Sequence, residues 1–237
     1  SPATAAEWAN RWVALFNERE RGTTIALFRI TVGLVIFITF LQLLERDVHE
    51  VIWFPFDEGG YRTLGRGPMI LRWMGGVSAE NVSTLLWVLM TSSFFVAIGF
   101  GGRVSAFVCL QAYITIHRIN GESSGSSDIL ITNALWLLVL ARSTQTLSLD
   151  CLVATGKLTS AERIPAWPRY LGILQMVILY CTTGIQKLSI YWTPFGGFSA
   201  LYFVLQQPSW VRFDMAWAAW VYPLTQVATT LTWIFEI

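Results

Sequence analysis

The sequence predicts an all-α fold: a polytopic membrane bundle of about five to seven membrane-embedded helices, with an amphipathic N-terminal helix lying in the interface. Three observations carry that reading. Hydrophobic residues make up 54% of the 237 residues and charged residues 13%, half the ~25% charge of an ordinary soluble domain. Mean hydropathy is +0.52. The apolar residues fall in continuous runs, whereas a barrel would show alternation.

Taken in chain order, residues 3–20 place Trp8, Trp12, Leu15 and Phe16 at helical spacing, with Arg11, Glu18 and Arg19 around the other side. Such a helix is too polar to span, so residues 1–22 are expected to lie in the interface. Residues 23–237 then form the transmembrane domain. A spanning helix needs about 20 mostly apolar residues, and Thr24–Leu44 and Val82–Gly99 qualify. Val104–Ile116 and Asp128–Leu140 are short, yet flanking residues that snorkel let them cross. Pro168–Leu188 is the fifth candidate and Met215–Ile237 the sixth. That last run stops without a polar flank, so more chain is expected beyond it. The connection over 45–80 mixes Val51-Ile52-Trp53-Phe54-Pro55-Phe56 with six glycines. It is expected to fold back on the bundle and form one wall of a site.

Composition also excludes functions. A formal charge of +1 leaves no basic surplus to displace phosphate counterions, so nucleic acid is not a partner. His49 and His117 lie far apart and no acid pair recurs at ligand spacing, so no metal site is expected. Cys109, Cys151 and Cys181 form no C-x-x-C and read as buried small apolar residues. No repeat of 20–50 residues is visible, which argues against an inverted-repeat transporter. Lys and Arg number eight on the N-terminal side of the spans and six on the other. The positive-inside rule therefore places the N-terminus in the cytoplasm, and the expected location is a bacterial inner membrane.

Polar residues inside apolar runs are the candidate sites, because a charge at mid-span costs about 2.5–3.5 kcal/mol on insertion scales. Arg29 lies within the first span and should meet a carboxylate, a carbonyl or a head group, with Asp128 the acid named first. Asp128 opens the fourth span, where a carboxylate complements the helix dipole and can cap the start. Tyr180, Gly184 and Lys187 stand at i, i+4 and i+7, on one helix face. An amine held off water loses the preference for its charged form, which is how a lysine becomes a general base. A snorkelling Lys187 is the structural alternative.

Arg29 and Gly33 in the first span, the segment Gly125-Ser126-Ser127-Asp128, then Ser148-Leu149-Asp150, then Gly184-Ile185-Gln186-Lys187-Leu188 resemble the horizontally transferred transmembrane (HTTM) domain family. The vitamin K-dependent gamma-glutamyl carboxylases are its best-known members. The resemblance runs from about residue 20 to the end. It implies that Lys187 would be the base that deprotonates a quinol such as vitamin K hydroquinone, with Tyr180 as its neighbour. It also places a supporting histidine of the carboxylases at the position held here by Ser127. The carboxylases' large substrate domain has no counterpart within these 237 residues.

The sequence-level expectation is therefore a non-catalytic integral membrane subunit. Its partners would be the lipid bilayer and other membrane protein subunits, and its cargo lipids or pigments. A quinone-using, vitamin K-dependent carboxylase-like or epoxidase-like enzyme with Lys187 as general base is the alternative.

Overall fold

The computed structural model describes residues 4–61, 64–207 and 216–236. Among these the fold is α-helical apart from two strands of three residues each. Contacts divide the chain into two compact units, one ending at Tyr170 and the other beginning at Leu171.

The first unit opens with α1 (Ala5–Asn17), started by a reciprocal cap: Glu7 N donates to Thr4 Oγ1, and Thr4 N donates to Glu7 Oε2 at 2.8 Å. Trp8, Trp12 and Phe16 follow one another at helical spacing and are all exposed. The helix ends at Asn17, three residues before the periodicity suggested. Residues Arg19–Arg21 instead form β1, antiparallel to β2 (Arg163–Pro165), with Glu20 opposite Ile164. Backbone pairing, the Arg169–Glu20 ion pair at 2.6 Å and the Tyr170 hydroxyl donating to Glu18 outweigh continuation of the helix there.

Four longer helices follow: α2 (Thr23–Glu45), α5 (Ala79–Ile98), α6 (Gly102–His117) and α7 (Ser126–Leu140). Each packs on its neighbour in that order. Their joint core includes Ile36, Leu86, Leu89, Leu110, Ile116, Leu135 and Leu138. Between α2 and α5 the chain forms α3 (Val48–Trp53) and α4 (Met69–Trp73). This connection does fold onto the bundle: Trp53 is 2% exposed and stacks on Phe40 with ring centroids 5.8 Å apart. Asn120 pins it, donating from Nδ2 to Ile52 O at 3.1 Å. The short α8 (Leu149–Thr155) begins at Ser148, whose hydroxyl accepts from Cys151 N at 3.0 Å.

Among the described residues, α2 and α5 have the length and apolarity to cross a membrane, and α7 is a shorter apolar helix. At 1.5 Å per residue α2 reaches about 35 Å and α5 about 30 Å, against a hydrocarbon core of about 30 Å. The sequence reading counted more spans; α6 and α7 fall short of a full crossing by length alone.

The unit boundary falls within α9 (Trp167–Gln186). The second unit holds the rest of α9, α10 (Ala200–Leu205) and α11 (Tyr222–Glu236). Of the sixth run, Met215 and Ile237 lie outside the described residues, and the helix begins only at Tyr222. Here α10 packs on α11, tied by polar groups: Leu201 N donates to Thr229 Oγ1 at 3.2 Å and Gln226 Nε2 to Gly197 O at 2.7 Å. Uncharged side chains of this kind join helices without burying a charge. Cys109 and Cys151 are buried as expected, but Cys181 is exposed, on an α9 surface that also leaves Val177 and Ile178 uncovered.

Candidate functional site

Arg29 makes four side-chain hydrogen bonds, all of them to backbone carbonyls. It is 2% exposed and stands within the first two turns of α2. Nη1 donates to Val96 O at 2.5 Å and to Ala97 O at 2.9 Å; Nε donates to Ser143 O at 3.2 Å; Nη2 donates to Leu147 O at 2.6 Å. Val96 and Ala97 belong to the last turn of α5, at the negative end of its dipole, and Val96 O also accepts from Gly99 N at 3.2 Å. The rigid fork of a guanidinium suits several carbonyls at once. A Cβ on Gly99, which has φ +71°, would fall 2.5 Å from Arg29 Nη1 and 2.4 Å from Ser148 Cβ. Glycine is thus required there twice, for conformation and for space. Asp150 accepts from Gly101 N at 3.0 Å. Arg29, Gly33 and the Ser148-Leu149-Asp150 segment therefore converge around the turn between α5 and α6.

Asp128 is not the partner of Arg29, contrary to the pairing expected from sequence. Backbone carbonyls already meet the guanidinium, and the carboxylate is engaged elsewhere. Tyr113 donates its hydroxyl to Oδ1 at 2.7 Å, and Gly125 N donates to Oδ2 at 2.6 Å. The second contact caps the start of α7. Ser127, beside it, is exposed. His117 Nδ1 lies 3.6 Å from Asp128 Oδ2, and its ring is walled by Tyr113, Phe40 and Trp53, with centroids at 4.4, 6.1 and 6.4 Å. Among the described residues, both ring nitrogens of His117 and Nε1 of Trp53 are buried without a hydrogen-bond partner.

Sequence reasoning passed over His117 and Trp53. His117 reads as the polar end of a short run, and Trp53 as part of a loop. The available signal was the i, i+4 pair Tyr113 and His117, which puts a phenol and an imidazole on one helix face.

In the second unit, Lys187 follows α9 directly and is half-buried. Its backbone N donates to Thr183 O at 3.1 Å and Gly184 O at 3.0 Å. Its Nζ lies 4.9 Å from the centroid of the Trp192 ring. Tyr180, two turns earlier, is 43% exposed and sets its ring edge-on to Phe235 at 5.9 Å. A cavity of about 480 Å³ is lined by Tyr191, Ser199, Tyr202, Phe203, Ala219 and Tyr222. Four of these six residues are aromatic, with three phenols and one hydroxyl as polar points. Among the described residues, no group of three His, Cys, Asp or Glu side chains is placed to hold a metal ion.

Compared with known proteins, the chain matches the family model described as HTTM domain over residues 17–233. No curated protein and no solved structure matches it.

Proposed function

The chain belongs to the HTTM domain family, and from that premise we propose that it is an integral membrane subunit of non-catalytic type. It would bind lipids, pigments or partner proteins within a larger membrane assembly. In this reading five to seven helices sit in the bilayer, α6 and α7 crossing with the help of snorkelling flanks. Helix α1 lies in the interface, and the N-terminus faces the cytoplasm of a bacterial inner membrane. Uncovered apolar side chains support the embedding: Leu27, Leu34 and Ile38 line one side of α2, and Ile173, Leu174 and Val177 lie exposed on α9.

The observation that carries the non-catalytic reading is the placement of the Lys187 Nζ over Trp192. An ammonium over an indole face is held by the ring quadrupole. Such a contact anchors the end of α9 to the turn that follows and engages the amine as a cation, whereas a base has to offer a lone pair.

One observation favours the second reading, a quinone-using enzyme. The aromatic cavity of the second unit, at about 480 Å³, falls within the ~300–1,000 Å³ of small-molecule pockets. Replacing Lys187 by Ala and assaying naphthohydroquinone epoxidation separately from native complex size decides between them. The subunit reading expects no epoxidation that depends on Lys187. Epoxidation lost in the variant with assembly intact would establish Lys187 as a base and replace that reading.

A further inference from the structure

We propose that Trp53 and His117 form a buried binding point for one hydroxyl group, bridged between the indole Nε1 and the imidazole Nε2. This inference is independent of the role of Lys187.

The argument begins with hydrogen-bond capacity. Buried polar groups in folded proteins are nearly always satisfied, and leaving one unsatisfied is costly. Here three ring nitrogens on two adjoining side chains are buried without partners among the described residues. Trp53 is 2% exposed, and its ring meets that of His117 nearly at right angles, 88°. The surroundings are otherwise aromatic, Phe40 and Tyr113 completing the box.

Asp128 fixes which imidazole nitrogen carries the proton. Its Oδ2 lies 3.6 Å from Nδ1, just beyond a direct bond, and the carboxylate is held in place by Tyr113 and Gly125. A carboxylate facing Nδ1 favours the tautomer with Nδ1–H, which leaves the lone pair on Nε2. Indole Nε1–H is a donor only. The unmet pair is thus one donor, on Trp53, and one acceptor, on His117.

The chemical complement is a group that accepts once and donates once. A carbonyl would satisfy Trp53 and leave Nε2 bare. An ammonium would satisfy Nε2 and leave the indole N–H facing another donor. A carboxylate brings no hydrogen. A hydroxyl does both, accepting from Nε1–H and donating to Nε2. That hydroxyl has two sources, a water molecule or the alcohol group of a bilayer-soluble molecule, and they share this chemistry.

The chain's two histidines make the test direct. Full-length protein labelled with ¹⁵N in histidine and tryptophan is studied by NMR in detergent micelles, with His49→Gln and Trp53→Phe assigning the resonances. The expected result is a neutral His117 protonated on Nδ1, with its Nε2 nitrogen shifted upfield of a bare lone pair by an accepted hydrogen bond. The Trp53 indole proton should carry the downfield shift of a donated one. A cross-peak from either group to the water resonance identifies water as the source. A saturable shift with cyclohexanol, absent with methylcyclohexane, identifies an alcohol. Either result supports the site.

Three results would overturn it. One is a His117 protonated on Nε2. Another is a direct scalar coupling between the Trp53 indole N–H and His117 Nε2. The third is a pair of resonances at values free of any hydrogen bond. The wild-type spectra supply the shift and coupling readouts, so the test stands even where Trp53→Phe folds poorly, with His117→Gln then serving to assign the imidazole.

Discussion

Gly33 on α2 lies so close to Ala97 on α5 that a Cβ built on it would fall 2.5 Å from the Ala97 backbone nitrogen and 2.8 Å from its Cα. Backbone cannot yield as a side-chain tip can. The contact lies one turn from Arg29 on the same face of α2, so close approach and carbonyl binding are features of one interface.

Gly33→Ala is therefore expected to destabilise the protein: overpacking costs about 1–3 kcal/mol, and the ~1 kcal/mol by which alanine improves a helix interior offsets part of it, for a net loss of up to about 2 kcal/mol. Gly121→Ala is the control, since a Cβ there meets nothing within 4 Å. Thermal unfolding midpoints in detergent compare the two. Equal midpoints would show that α2 and α5 do not approach this closely.

Arg29→Met should lower stability by several kcal/mol, because hydrogen bonds from a charged donor contribute about 1.5–3 kcal/mol each and Arg29 makes four. Arg29→Lys keeps the charge but loses the fork, so it should recover only part of the loss. The yield of monodisperse protein and its melting midpoint report both. A lysine variant that melts with the wild type would refute the four-carbonyl account.

This interface also shows how far the sequence could be read. Helices α2 and α5 were legible because an unbroken apolar run needs no tertiary information to declare itself. The presence of Arg29 in such a run marked it as partnered, but its partners are backbone carbonyls at residues 96, 97, 143 and 147, which carry no residue-type signal. The strands β1 and β2 stayed hidden for a related reason. Three residues such as Arg19-Glu20-Arg21 have no periodicity, and their partner lies far along the chain. Asp128 was legible as a cap from its position at the start of a run. Its link to Tyr113, and the placing of His117 against Trp53, arise only when α6, α7 and α3 pack together.

The Tyr113–Asp128 pair lends itself to a double-mutant cycle. Asp128→Ala removes a cap worth about 0.5–2 kcal/mol and leaves the Tyr113 hydroxyl without its acceptor. In a Tyr113→Phe background the same change should cost less, with a coupling of about 1 kcal/mol, inside the range for residues in contact. Strictly additive unfolding free energies would mean that the 2.7 Å contact contributes nothing.

For α1, the expectation is shallow burial with the helix parallel to the bilayer. A nitroxide at position 12, introduced as Trp12→Cys in a background free of Cys109, Cys151 and Cys181, should report a depth of about 5–10 Å by power saturation. The same label at Arg11 should report bulk water. Equal accessibility of the two positions to a water-soluble relaxant would place the helix off the membrane.

Because Arg29 is answered by main-chain oxygens, the side chains at Val96, Ala97, Ser143 and Leu147 have no stake in its charge. Evolution is free to exchange them for others of similar bulk without disturbing the contact, while every exchange at Arg29 is felt at once. Across diverging relatives the arginine should then stay fixed without co-varying with the four residues whose carbonyls it meets. Methods that infer proximity from correlated substitutions would pass over this four-carbonyl junction. A junction of this kind is found by asking where the backbone's own acceptors end, a question of geometry that residue statistics do not pose.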